Sequence, residues 1–296
     1  MKEIVVISGK GGTGKTSITA SFAYLAENDI IVADCDVDAA DMHLLLMPDF
    51  AHQEDFYSSE IAIIDQDTCT KCGECKKICR FDAISFQEDE YKVKPLDCEG
   101  CGYCANICPV DAITMEKQND GDLFISTTKV KSTMVHASLN IGAENSGKLV
   151  AKVKSTAKEI AKKDKKEFVL VDGSPGIGCP VVSSLSGADY VVLVAEPTVA
   201  GIHDLKRVRQ VVKNFNIKSG CIINKADLNK EKTTDIKEFL QEEDILHITD
   251  IPYDENFTKS MTEGKTIVEY DDKKLSEIIE SSWKKILRLV ERKEKS

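Results

Sequence analysis

Eight residues near the start, Gly9-Lys10-Gly11-Gly12-Thr13-Gly14-Lys15-Thr16, constrain this chain more than any other stretch. They follow the apolar run Ile4 to Ile7 and precede a helical pattern from Ser17 to about Glu27. Strand, glycine loop and helix in that order make a phosphate cradle. Glycines let backbone N–H groups converge on phosphate oxygens, and the helix adds the positive end of its dipole. In such a cradle Lys15 reaches the β- and γ-phosphates and the Thr16 hydroxyl ligates Mg²⁺. Gly11, Gly12, Thr13, Gly14 and Ser17 line the rest of the nucleotide pocket.

The remaining apolar runs end on polar residues in a repeated way. Ile30 to Ala33 leads into Asp34-Cys35-Asp36, and Phe168 to Val171 into Asp172. Tyr190 to Ala195 leads into Glu196-Pro197-Thr198, residues 221–223 into Asn224, and Leu246 to Ile251 into Pro252-Tyr253. Helical patterns alternate with these runs, at 148–163 and 201–214 among others. That alternation predicts an α/β fold, a mostly parallel doubly wound sheet with ligands at the carboxyl ends of its strands. Cys35 between its two aspartates reads as a small buried side chain.

The stretch from Cys69 to Cys79 has different chemistry, with the spacing C-x₂-C-x₂-C-x₃-C. The spacing returns at Cys98, Cys101, Cys104 and Cys108, and Phe81 to Ile84 is echoed by Val110 to Ile113. Eleven cysteines are many for a reduced protein unless they bind metal. Zinc sites usually show paired C-x₂-C separated by a longer loop, whereas this tight run suits thiolates wrapping a cube. The duplicated module resembles the bacterial two-cluster ferredoxins, in which the fourth cysteine crosses to the other cluster. The resemblance implies one 4Fe-4S cluster on Cys69, Cys72, Cys75 and Cys108, and a second on Cys98, Cys101, Cys104 and Cys79. Pro109 follows the fourth cysteine of the second copy, but Arg80 stands there in the first, which makes the charge near the second cluster more positive.

Lys10, two residues into the glycine loop, makes that loop resemble the deviant Walker A of the MinD/ParA/Mrp and nitrogenase-iron-protein group of P-loop ATPases. The resemblance implies ATP as ligand and a homodimer in which Lys10 reaches the phosphates of the other subunit. It places Asp36 in switch I, orienting the attacking water, with Asp34 nearer Mg²⁺ and Asp172 as the Walker B carboxylate. Catalysis then rests on Lys10, Lys15 and Asp36, and Mg²⁺ on Thr16, Asp34 and Asp172. Gly173 to Gly178 resembles switch II. Asn224 takes the place of a residue that hydrogen-bonds adenine, and Pro252 and Tyr253 lie where the family sets backbone against the base. The N-K-x-D form at Asn224 to Asp227 keeps a guanine reading open. Cys179 stands at the offset from Asp172 where the nitrogenase iron protein carries a bridging-cluster cysteine, but no second cysteine accompanies it, so an inert buried thiol is the expectation.

The loss of apolar pattern from Pro48 to Ser59 reads as a linker, and Asn119 to Asp122 as a turn that returns the chain to the main sheet. The expected division is therefore an ATPase domain over 1–59 and 118–296, with an α+β ferredoxin-like insert over 60–117. His136 is read either as a cluster or partner contact or as a packed histidine. From Leu275 to Val290 an apolar face recurs at helical spacing, suited to docking on the ATPase core or to a membrane surface, with membrane binding the less expected. A net charge of −11 disfavours broad binding to nucleic acid or anionic lipid. With no signal-like start, the expected location is the cytoplasm. Together these readings imply an ATPase with two 4Fe-4S clusters that passes electrons to a redox partner. An iron–sulfur carrier of the Mrp type serving an apo-protein is the alternative, and a MinD-like spatial organiser a third.

Overall fold

Strands buried on both faces belong in parallel sheets flanked by helices, and this chain supplies several of them. In the computed structural model, which describes residues 1–38, 40–143, 146–270 and 273–291, β1 (Lys2–Ser8) is buried along almost its whole length. It feeds the glycine loop and α1 (Lys15–Ala26). Then come β2 (Ile30–Asp34), α2 (Met42–Leu46), β3 (His52–Ile64), α3 (Glu74–Ile78), β4 (Ile84–Gln87), β5 (Glu90–Val93) and α4 (Tyr103–Ile107). After β6 (Ile113–Thr127), β7 (Thr133–Leu139) and α5 (Ser146–Lys163), strand and helix alternate: β8 (Phe168–Asp172), α6 (Cys179–Leu185), β9 (Tyr190–Ala195), α7 (Val199–Asn214), β10 (Ser219–Asn224), α8 (Lys230–Glu242) and β11 (Leu246–Ile251). Two helices close the fold, α9 (Asn256–Thr262) and α10 (Lys273–Glu291).

The main sheet runs β11-β10-β9-β1-β8-β2-β7-β6-β3, and each pairing from β11 through β7 is parallel. Parallel order puts the carboxyl ends of β1, β2, β8, β9 and β10 along one edge, so the glycine loop, the acidic strand ends and Asn224 meet there. The chain separates into two compact units. One comprises Met1–Gln53, Leu123–Ser138 and Ser146–Ser296; the other comprises Glu54–Asp122 and Leu139–Asn145.

In the first unit Phe22 of α1 stacks on Trp283 of α10, ring centres 5.2 Å apart. Leu275, Ile279 and Ile286 are buried with Trp283 in the same core. The apolar face of α10 is thus spent on the protein's own interior. No helix among the described residues is long and apolar enough to cross a membrane.

The second unit carries its sequence duplication into the backbone. Gly73 and Gly102, both with positive φ, precede α3 and α4, and Lys71/Gly100 and Asp82/Asp111 repeat the same left-handed turns. Its buried apolar core is small, Ala62, Cys75, Ile84 and Ile113, with further cysteines packed around it. The strands β4 and β5 form an antiparallel hairpin.

Two readings of connecting segments need correction. The expected linker up to Ser59 is already strand from His52, and the expected turn at Asn119 to Asp122 lies inside β6. The cause is Asp120, whose carboxylate accepts hydrogen bonds from the backbone N–H and hydroxyl of both Ser58 and Ser59. Burial raises its pKa, but these four donors outweigh that and hold it below the usual carboxylate range. Polar residues that look like loop instead knit two strands.

His136 on β7 is buried in the first unit. Its ring stacks on Phe124 at 5.1 Å and meets Phe50 edge-on at 5.0 Å, and Nε2 lies 2.9 Å from Ser126 Oγ. Of the two readings of this residue, the structure gives the packed histidine. Burial, with a smaller contribution from His43, pulls its pKa from 6.5 down to about 4. Above pH 6.5 both folded and unfolded forms are neutral and the group costs nothing. As pH falls from 6.5 to 4 the unfolded chain takes up a proton that the folded chain refuses, so stability is lost across that window. Urea unfolding followed across pH 4–7 should show His136→Gln losing less stability than the parent on acidification, by about 3 kcal/mol. Parallel curves for the two proteins would contradict this environment.

Candidate nucleotide site and two thiol cavities

The glycine loop folds as a cradle because two of its glycines admit nothing larger. Gly14 has φ +88 and stands directly before α1, where a Cβ would lie 2.4 Å from Asn224 Nδ2. At Gly9 a Cβ would lie 2.4 Å from the Asp204 carbonyl oxygen. No side chain caps α1, leaving its amino end as an anion site.

Lys15 is buried among carboxylates. Its Nζ lies 2.8 Å from Asp172 Oδ2 and 3.5 Å from Asp36 Oδ2. Burial pulls its pKa down, but Asp172, Asp36 and Asp34 outweigh that and the net shift is upward. Asp172 also accepts from Thr16 Oγ1 at 2.8 Å and Thr19 Oγ1 at 3.0 Å. Asp34 is fully buried, and burial followed by repulsion from Asp172 pushes its pKa well up. Its Oδ2 is a buried oxygen without a hydrogen-bond partner, while Oδ1 accepts from the Asp36 N–H. Two clustered carboxylates with one orphaned oxygen and an adjoining hydroxyl suit a hard divalent cation with oxygen ligands. Thr16, Asp34 and Asp172 thus fit Mg²⁺.

The segments after β2 and β8 touch. The Ser174 hydroxyl donates to the Cys35 carbonyl, and the Cys35 N–H donates to the Asp172 carbonyl at 2.8 Å. Gly173 and Gly176 donate to β1 carbonyls of Val6 and Ser8. On the base side, Asn224 Nδ2 donates to the Thr13 carbonyl at 2.8 Å, and its Oδ1 accepts from the Lys225 N–H. Asp227 Oδ1 accepts from the Tyr253 N–H at 2.6 Å, which ties Pro252-Tyr253 to the Asn224 turn. The Ser17 hydroxyl faces Met261 Sδ at 3.4 Å. Lys10 Nζ is paired with Glu196 of the same chain.

The family CobQ/CobB/MinD/ParA nucleotide binding domain matches residues 4–267, nearly the whole described fold. The chain belongs to that family. Among proteins, it is similar to the uncharacterised protein MJ0578 of Methanocaldococcus jannaschii, 39% identical over 77% of this chain and 79% of the relative. It also resembles an uncharacterised ATP-binding protein, MJ0823, of the same organism, 27% identical over 96% and 98% of the two chains. Among solved structures, MinD of Pyrococcus horikoshii complexed with Mg-ADP aligns over 98% of this chain and 97% of its own, with a TM-score of 0.60 and 18% identity. Apo McdA of Cyanothece aligns over 97% and 99% with a TM-score of 0.58 and 15% identity. At these identities the structures speak for the fold alone.

Thr19, which reaches Asp172, carried no expectation in the sequence; Glu196 was expected only as a strand-end residue and Ser174 only as part of the segment resembling switch II. Glu196 follows the end of β9 as Asp34 and Asp172 end β2 and β8, and that pattern was the available signal. Thr19 lies one helical turn after Lys15. Cys179 needs correction, since its thiol is exposed at the start of α6 and not buried. The preceding Gly178, the extended N-cap of α6, is exposed as well.

In the second unit the cysteines are drawn into two groups. Cys69, Cys72, Cys75 and Cys108 line one cavity together with Pro109 and Tyr91. Cys79, Cys98, Cys101 and Cys104 line another, of about 350 Å³, together with Arg80 and Glu99. Each group takes three cysteines from one sequence copy and one from the other. Burial first, then neighbouring thiols, raises the pKa of Cys75 and Cys104. Among the described residues, no three His, Cys, Asp or Glu side chains converge closely enough to hold a single metal ion. The cavity of the first group is much the smaller, about 20 Å³.

For the nucleotide site the expected outcome is plain. Lys15→Ala leaves three clustered carboxylates facing the phosphate-binding loop without their cation, and should weaken MgATP binding roughly 100-fold or more. Titration calorimetry checks it; parental affinity would contradict the assignment.

Proposed function

We propose that this chain binds and hydrolyses ATP as a homodimer, and that its second unit carries two 4Fe-4S clusters whose electron transfer is coupled to nucleotide state. The observation that carries the reading is the crossed grouping of eight cysteines around two cavities, in the same chain as the phosphate cradle. Cys69, Cys72, Cys75 and Cys108 would hold one cluster, and Cys98, Cys101, Cys104 and Cys79 the other. Bound clusters supply one-electron chemistry. The elevated thiol pKa values at Cys75 and Cys104 mean that ligation there releases protons, so loading is favoured at alkaline pH.

In the nucleotide unit the chain's own residues do the following. Lys15, 2.8 Å from Asp172, is placed to exchange that carboxylate for a phosphate oxygen; Thr16, Asp34 and Asp172 would hold Mg²⁺, which would neutralise phosphate charge. Asp36, 3.5 Å from Lys15, orients the attacking water, and Lys10 of one copy neutralises phosphate charge on the other. Asn224 releases Thr13 to meet the base. Positioning and charge neutralisation are sufficient for phosphoryl transfer, which asks little covalent chemistry of the protein.

A second reading, an iron–sulfur carrier, draws support from the exposure of Cys72 and Cys101, one in each group. Exposed ligands permit handover of an intact cluster. Reversible reduction with full iron retention in the presence of an apo-acceptor favours the electron-transfer reading, and loss of iron to the acceptor favours the carrier.

Anaerobic reconstitution tests both readings at once. The protein should take up about eight irons and eight sulfides per chain, as two cubane clusters require. Cys75→Ser and Cys104→Ser should each halve that content while sparing the other cluster's spectrum. Uptake of one or two zinc ions with no iron would overturn the proposal.

A further inference from the structure

Glu196 is a buried-edge carboxylate serving two cations. Its side chain is 12% exposed and stands just beyond β9. Lys10 Nζ pairs with one oxygen, and Lys225 Nζ lies 3.3 Å from the other. Lys225 also donates to the Gly12 carbonyl at 3.2 Å, so the same ammonium touches the glycine loop. Burial raises the Glu196 pKa, but the two lysines outweigh that and keep it ionised well into the acid range.

We propose that Glu196 is a latch that holds Lys10 within its own subunit, and that Lys225 is the cation that lets it release. The inference rests on the reading of Lys10 as a residue that acts on a second copy of the chain. A lysine engaged by its own Glu196 is not available to a partner's phosphates. Removing one member of a buried ion pair normally leaves an uncompensated charge and is costly. Here the departure of Lys10 leaves Glu196 still paired with Lys225, so the latch opens without stranding an anion. Glu196 therefore sets the threshold for dimer formation, and Lys225 lowers it. Glu196 acts through Lys10 and is a positioning residue.

The two variants should move dimerisation in opposite directions, which a merely structural role for either residue does not predict. Sedimentation of the full chain with MgATP, compared with MgADP, reads the dimer dissociation constant directly. Glu196→Gln, near-isosteric and uncharged, should tighten the MgATP dimer roughly fivefold to tenfold. It should also lower the protein concentration at which ATP hydrolysis appears, without a matching change in KM for ATP. Lys225→Met should weaken the dimer, because Glu196 then has Lys10 alone. The double variant should behave like Glu196→Gln, since Lys225 acts through that carboxylate.

A Glu196→Gln dimer no tighter than the parent, or a Lys225→Met dimer no weaker, overturns the latch. Lys10→Ala separates that result from failure of the underlying reading. If Lys10→Ala abolishes ATP-dependent dimerisation while Glu196→Gln leaves it unchanged, the latch is wrong and the trans role of Lys10 stands. If Lys10→Ala dimerises and turns over like the parent, the trans role is wrong and the latch falls with it.

Discussion

One buried ammonium among three carboxylates organises the nucleotide unit. Lys15 could not be buried without Asp172, Asp36 and Asp34 around it, and those acids could not share a site without it. The requirement fixes the order of the sheet. β1 delivers the glycine loop beside the end of β8, and the parallel register of β8 with β2 sets Asp172 opposite Asp34. The charge balance is incomplete, since Asp34 keeps one oxygen unpartnered. A site built this way is poised to exchange an internal lysine contact for a metal and a phosphate.

Much of this was legible in the sequence because it is local. A glycine loop between an apolar run and a helix, and aspartates closing apolar runs, are patterns that neighbours in sequence impose on one another. What was not legible depends on partners far apart in the chain. The pairing of Lys10 with Glu196 joins residues that no periodicity connects. The role of Asp120 as a four-donor anchor is invisible in a polar stretch that otherwise reads as a turn. Cys179, expected to be an inert buried thiol because no second cysteine accompanies it, is exposed at the start of α6. The amphipathic tail was ambiguous between membrane and core until Trp283 was seen against Phe22.

The second unit poses a different physical problem. Its buried apolar residues are few, and cysteines form much of what surrounds them. Units with so little apolar core usually rely on metals or disulfides to stay folded. The repeated left-handed turns at Lys71/Gly100 and Gly73/Gly102 present the first three cysteines of each copy alike, and each group is completed by the fourth cysteine of the other copy. That exchange gives each thiol group residues from both sequence copies.

The central claim is that nucleotide state and the thiol-lined unit are energetically coupled within one chain. The most direct test is the midpoint potential of the reconstituted protein by anaerobic titration, with and without MgATP, alongside ATP affinity in both redox states. Coupling predicts that MgATP shifts the midpoint potential, and that reduction changes ATP affinity by the same factor, because linkage is reciprocal. Identical potentials and identical affinities in all four conditions would contradict it.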